Sequence, residues 1–127
     1  MEDRVREISS DARVLYSDGL EMLEMGKIRN AAEKAWGATK RATDALILTR
    51  TGREPRSSGQ TVRGIRMLGR ASPQFRQMEL RCVHQAHVLH GLCFYDGNCE
   101  PEDLTARDIR DTVRYIEDAE NLAQDEH

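Results

Sequence analysis

Apolar residues return at alternating steps of three and four along most of the chain, a spacing that admits helices and little else. Val5, Ile8, Ala12, Leu15, Gly19 and Met22 mark a first helix from about Asp3 to Met25. Gly26 follows, a residue that can take the left-handed conformation at a helix end without a Cβ clash. A second stripe of Ile28, Ala31, Ala32, Ala35, Thr39, Ala42, Ala45 and Leu46 marks a helix from about Lys27 to Arg50. Its small residues permit close approach of a neighbouring helix. With one glycine between them, the two helices are expected to form an antiparallel hairpin. Trp36 lies beside the second stripe and is expected at the edge of the core.

Thr51 to Gln60 reads as a basic loop rich in Gly, Ser and Pro. A short helix is expected from about Thr61 to Gly69, with Val62, Ile65 and Leu68 on one side. Ser72-Pro73 then reads as an N-cap followed by an N1 proline. The fourth helix should run from about Pro73 to Tyr95 and end at Asp96-Gly97-Asn98. A last helix begins at Pro101 or Leu104, with Thr105 and Asp108 resembling a capping box. The expected fold is all-α: an antiparallel up-and-down bundle of four long helices plus one short helix, in a single domain over residues 1–127. No strand pattern competes.

No apolar run approaches the length that crosses a bilayer, so no membrane partner is expected. The charged start Met1-Glu2-Asp3-Arg4 lacks a signal-peptide core, which makes a cytoplasmic location the expectation. The cysteines, Cys82, Cys93 and Cys99, are odd in number and form no CxxC pair. A disulfide framework is therefore not expected. Charge is uneven. Residues 50–81 hold eight arginines against Glu54 and Glu79, a net +6, whereas residues 82–127 carry a net −8. Such asymmetry marks a polyanion-binding face or two halves that neutralise each other.

Gly26-Lys27-Ile28-Arg29-Asn30 followed by Ala31-Ala32-Glu33-Lys34-Ala35-Trp36-Gly37-Ala38 resembles the helical hairpin of the HEPN superfamily, most closely its archaeal PaREP-type branch. Ala86-His87-Val88-Leu89-His90, then Phe94-Tyr95 and an acidic stretch, is similar to a second segment of that branch. The resemblance implies a helical bundle that forms homodimers. It also implies RNA cleavage, nucleotide or RNA binding, or pairing with a nucleotidyltransferase in toxin–antitoxin or defence-type pairs.

Ribonucleases of the superfamily share an Arg followed within a few residues by His, and Arg81 and His87 fit that spacing. An imidazole can move the proton of a ribose hydroxyl, and a guanidinium can hold the phosphate. On an ideal α-helix, however, six residues leave the two side chains ~120° apart. His84, His87 and His90 recur at every third position, as a ridge that lines a groove or bonds to carboxylates of the last helix. No His or Cys pair has zinc-site spacing, so neither metal nor cofactor is expected. Glu33 and Trp36 lie where a groove would face that ridge, and Trp36 and Tyr95 offer rings for stacking on a base. Arg50, Arg53 and Arg56, with Arg63 and Arg66 beyond, are the candidate phosphate contacts. The sequence thus supports a nucleotide- or RNA-binding module, a metal-independent ribonuclease using Arg81 and His87, or a non-catalytic partner of a nucleotidyltransferase.

Overall fold

A computed structural model describes residues 2–124. It contains α1 (Glu2–Glu24), α2 (Ile28–Thr51), α3 (Ser58–Leu68), α4 (Pro73–Gln85) and α5 (Glu102–Gln124). α4 runs on directly as a π-helical segment, Ala86–Tyr95. No strand occurs among the described residues. The all-helical expectation holds, with four long spans and the short α3.

Gly26 does end the first arm, with φ of +75°. The hairpin is close because small residues meet. A Cβ added at Gly19 would lie 3.3 Å from the Lys34 Cβ and 3.4 Å from the Ala31 carbonyl oxygen. Cross-helix bonds set the directions. Arg41 reaches Asp11, and Arg4 reaches Glu54, so α1 and α2 are antiparallel. Glu33 meets His90 and Thr43 meets Cys82, so α2 and the α4–π span are antiparallel too. His84 with Asp108 and Arg81 with Asp118 make α5 antiparallel to α4. Thr43 with Tyr115 and Arg50 with Leu122 make α5 parallel to α2. α2 touches every other helix, and 13 of its 24 residues are buried. Among the described residues, no helix is long and apolar enough to cross a membrane.

Several boundaries differ from those read in the sequence. α3 starts at Ser58 because the Ser57 hydroxyl accepts from the Gln60 amide at 3.1 Å, capping the helix earlier than Thr61. The loop before it shrinks to residues 52–57. Ser72 caps α4 as expected, accepting from the Phe75 amide at 3.2 Å, with Pro73 at the first position. α5 starts at Glu102, between the two expected starts, and Thr105 does not form a capping box. Its hydroxyl instead donates to the Cys99 carbonyl at 2.8 Å.

The fourth span is also not one uniform α-helix. Its last ten residues follow the wider π path, and the Asp96 amide closes it by donating to the Gly91 carbonyl five residues back at 3.0 Å. Periodicity of apolar residues carries no mark of this change.

Cys93 and Cys99 are joined by a disulfide, contrary to the expectation of free thiols. An odd count leaves Cys82 as the free, buried thiol. The bridge ties the end of the π segment to the strand of chain entering α5. Closing so short a loop contributes about 2 kcal/mol by constraining the unfolded chain. The Cys93→Ser/Cys99→Ser double variant is expected to lose about that much in urea unfolding. Equal midpoints for wild type and variant would show that the bridge adds nothing.

Candidate functional site

The sequence-derived site residues fall into three places. The first is the start of α2 against the π segment. Here His90 Nδ1 lies 2.7 Å from Glu33 Oε1. The imidazole is 6.1 Å from the Trp36 ring, 6.3 Å from Phe94 and 6.5 Å from Tyr95, centroid to centroid. Glu33, Trp36, His90 and Tyr95 are thus brought together. Trp36 is only 3% exposed, so it packs as core beside His90 rather than offering a face to a base. That corrects both its expected edge position and its stacking role. Tyr95, at 75% exposure, keeps an open ring.

Arg29, not singled out in the sequence, completes this place. Its Nε and Nη2 donate to the Phe94 carbonyl at 3.0 and 2.5 Å, and Nη2 reaches the Tyr95 carbonyl at 3.3 Å. A helical C-terminus leaves carbonyls without intrahelical donors, and the cation satisfies them. The signal was there in principle: Arg29 is one turn before Glu33, on the arm that faces the end of the fourth span.

The second place is the seam between α4 and α5. His84 Nε2 pairs with Asp108 at 3.0 Å, as expected for a histidine facing the last helix. Arg81 donates to Asp118 at 2.7 Å and lies 5.2 Å over the Tyr115 ring. His87 is exposed, and among the described residues it has no hydrogen-bond partner. No hydrogen bond links Arg81 to His87. The α-helical register that relates them ends at Gln85, and α5 takes up the guanidinium.

The third place is the arginine-rich segment. Arg50 does not belong to a solvent-facing cluster. Its Nη2 donates to the Leu122 carbonyl at 2.6 Å and its guanidinium lies 5.3 Å from the Phe75 centroid, so it ties α2 to α5. Arg53 and Arg56 line a cleft of about 930 Å³ together with Arg63. Ile47, Met67 and Leu68 give that cleft apolar walls. Arg66, Arg70 and Arg76 line an adjoining cleft of about 550 Å³ that shares Arg63 with the first.

The two acids of this segment are already engaged. Arg4 holds Glu54 with two bonds of 2.8 Å, and Arg41 approaches at 3.5 Å. The Arg4 bonds hold the Glu54 carboxyl down to about 2. Glu79 is nearly buried and receives Arg76 at 3.0 Å, with Arg66 at 3.9 Å. Arg53, Arg56, Arg63 and Arg70 are exposed and form no ion pair among the described residues. The loop is also less free than its composition suggests. Glu54 is clamped, and the Arg56 amide donates to Gln60 Oε1 at 2.8 Å.

No curated protein and no solved structure matches the chain. A family match does, over residues 7–116, taking in most of α1 through most of α5 and leaving Arg4, Asp118 and Leu122 outside it. The chain belongs to the Archaeal PaREP1/PaREP8 family.

Proposed function

We propose that this protein is an RNA-binding helical module whose arginine face on the 52–57 loop and α3 holds the phosphates of a single strand. One observation carries the reading. Arg53, Arg56, Arg63 and Arg70 stand exposed along two adjoining clefts, and the only acids of the segment are taken by other arginines. Charge that is neither paired nor buried attracts a polyanion and releases its counterions. RNA is the polyanion that the resemblance to the HEPN superfamily implies. Aromatic rings do not interleave with these arginines, so the reading is of phosphate contact tolerant of sequence. Homodimerisation and pairing with a nucleotidyltransferase rest on the same resemblance. Cleavage by Arg81 and His87 finds less support, because Asp118 occupies the guanidinium.

Fluorescence polarisation with a labelled single-stranded RNA, titrated from low to high salt, tests the proposal. Log affinity should fall linearly with log salt. Arg53→Ala/Arg56→Ala/Arg63→Ala should reduce the magnitude of that slope by about 2, at roughly 0.7 per lost phosphate contact. Absence of salt-dependent binding, or a slope the triple variant leaves unchanged, would falsify the reading.

A further inference from the structure

Three histidines lie on the fourth span, and the structure treats each differently. His84 has its Nε2 taken by Asp108. His87 is exposed without an orienting partner. His90 alone has Nδ1 occupied and, among the described residues, no hydrogen bond at Nε2. The Glu33 carboxylate, at 2.7 Å, can only accept, so the shared proton sits on Nδ1. In the neutral ring Nε2 then holds a free lone pair. The imidazole side chain is 39% exposed and Glu33 34%, so solvent reaches the pair. The ring is still fixed in direction, with Phe94 stacked beside it at 20° and the buried Trp36 tilted against it at 35°. It also lies on the π segment, a rare helical form whose short bulges are frequent at functional sites.

No Ser, Thr or Cys side chain bonds to His90 among the described residues, so the imidazole has no protein nucleophile to activate. A carboxylate-oriented imidazole with an open nitrogen can itself serve as a nucleophile. Arg29 adds positive charge at the same end of α2, and its Nη1 makes no hydrogen bond among the described residues. That charge favours an anionic electrophile over a neutral one.

We propose that His90 Nε2 is a phosphoryl-acceptor site, fed by a donor of the acyl phosphate or phosphoramidate class. The Nε2 lone pair attacks phosphorus and an N–P bond forms. The donor's P–O or P–N bond breaks, and its electron pair departs with the carboxylate or, after protonation by solvent, with ammonia. Nothing is oxidised or reduced. The ring keeps its Nδ1 proton, and Glu33 offsets the positive charge the ring gains. This site is independent of the RNA reading, for it uses none of the arginines of the 52–57 loop and α3.

Phosphoramidate incubated with the full chain is the test, with the modified histidine located by mass spectrometry and the modified nitrogen by phosphorus NMR. His90 should be labelled at Nε2 about ten times faster than His87 in the same molecule. Glu33→Gln should bring the two rates together. Equal labelling of His90 and His87 in the wild type, labelling at Nδ1, or a ratio that Glu33→Gln leaves unchanged would overturn the proposal. The wild-type ratio decides alone should the variant fail to fold.

Discussion

Asp44→Ala is expected to lower the free energy of unfolding by about 3 kcal/mol, among the largest losses a single side chain of this bundle can cause. Asp44 is fully buried, and both of its carboxylate oxygens are taken by donors. Its Oδ2 accepts from Lys40 at 2.8 Å and Arg41 at 3.1 Å, and its Oδ1 from the Thr61 hydroxyl at 2.6 Å. The first two bonds stay within α2. The third fastens α3 to it, so one carboxylate joins the arginine-bearing helix to the centre of the bundle. Removing it leaves Lys40 without its carboxylate, Arg41 with only its longer contacts to Asp11 and Glu54, and α3 without its polar anchor. Lys40 and Arg41 keep about a fifth of their surface in water, which holds the loss toward the low end for buried pairs. Asp44→Asn keeps an acceptor for Thr61 and should lose about half as much. Urea unfolding of the three proteins decides the matter. A loss below about 1 kcal/mol for the alanine variant would mean that α3 is held by its apolar contacts alone.

A second large effect should appear in alkali. Burial pushes the Cys82 thiol from its ordinary 9.0 up to about 11, and burial likewise raises the Tyr115 hydroxyl well above 10.0. Below pH 9 folded and unfolded chains both keep these protons, and the full stabilisation is present. Above pH 9 the unfolded chain releases the Cys82 proton while the folded chain retains it, so stability falls with rising pH. The thiol's share is lost by about pH 11. Two units of separation correspond to roughly 3 kcal/mol. Other groups also titrate in this range, so the informative quantity is the difference between wild type and Cys82→Ala. Wild type should lose stability more steeply between pH 9 and 11, with Tyr115 driving what remains in the variant. Parallel pH profiles for the two proteins would remove the thiol from the account.

Helices were legible in this sequence because burial follows the period of the backbone. Ile8, Ala12, Ala31, Ala35, Leu89 and Ile109 all sit on the faces their spacing assigns. Caps were legible where a side chain acts on its own turn, as Ser72 does with Phe75 and Gly26 through its positive φ. What escaped depends on partners far along the chain. Arg50 reads as one more basic residue before a loop, and only Leu122 and Phe75 make it structural. The pairing of Glu33 with His90 spans 57 residues, and periodicity placed both near a groove without joining them. The disulfide escaped for another reason. An odd cysteine count without a CxxC pair argued against a framework, and only the fold brings Cys93 and Cys99 within bonding distance. The π segment escaped because its apolar residues satisfy an α pattern about equally well.

The central placement of α2 has a consequence for how the molecule can come apart. A helix that touches all the others cannot open by itself, because moving it uncovers the interior on every side. α3 and the 52–57 loop are different. They lie against α2 and α4, with Glu54 held by Arg4 of α1, so their opening uncovers less of the interior than any movement of α2. The arginine-rich surface is thus mounted on a part that touches few other elements, whereas Glu33 is mounted on the helix that touches them all.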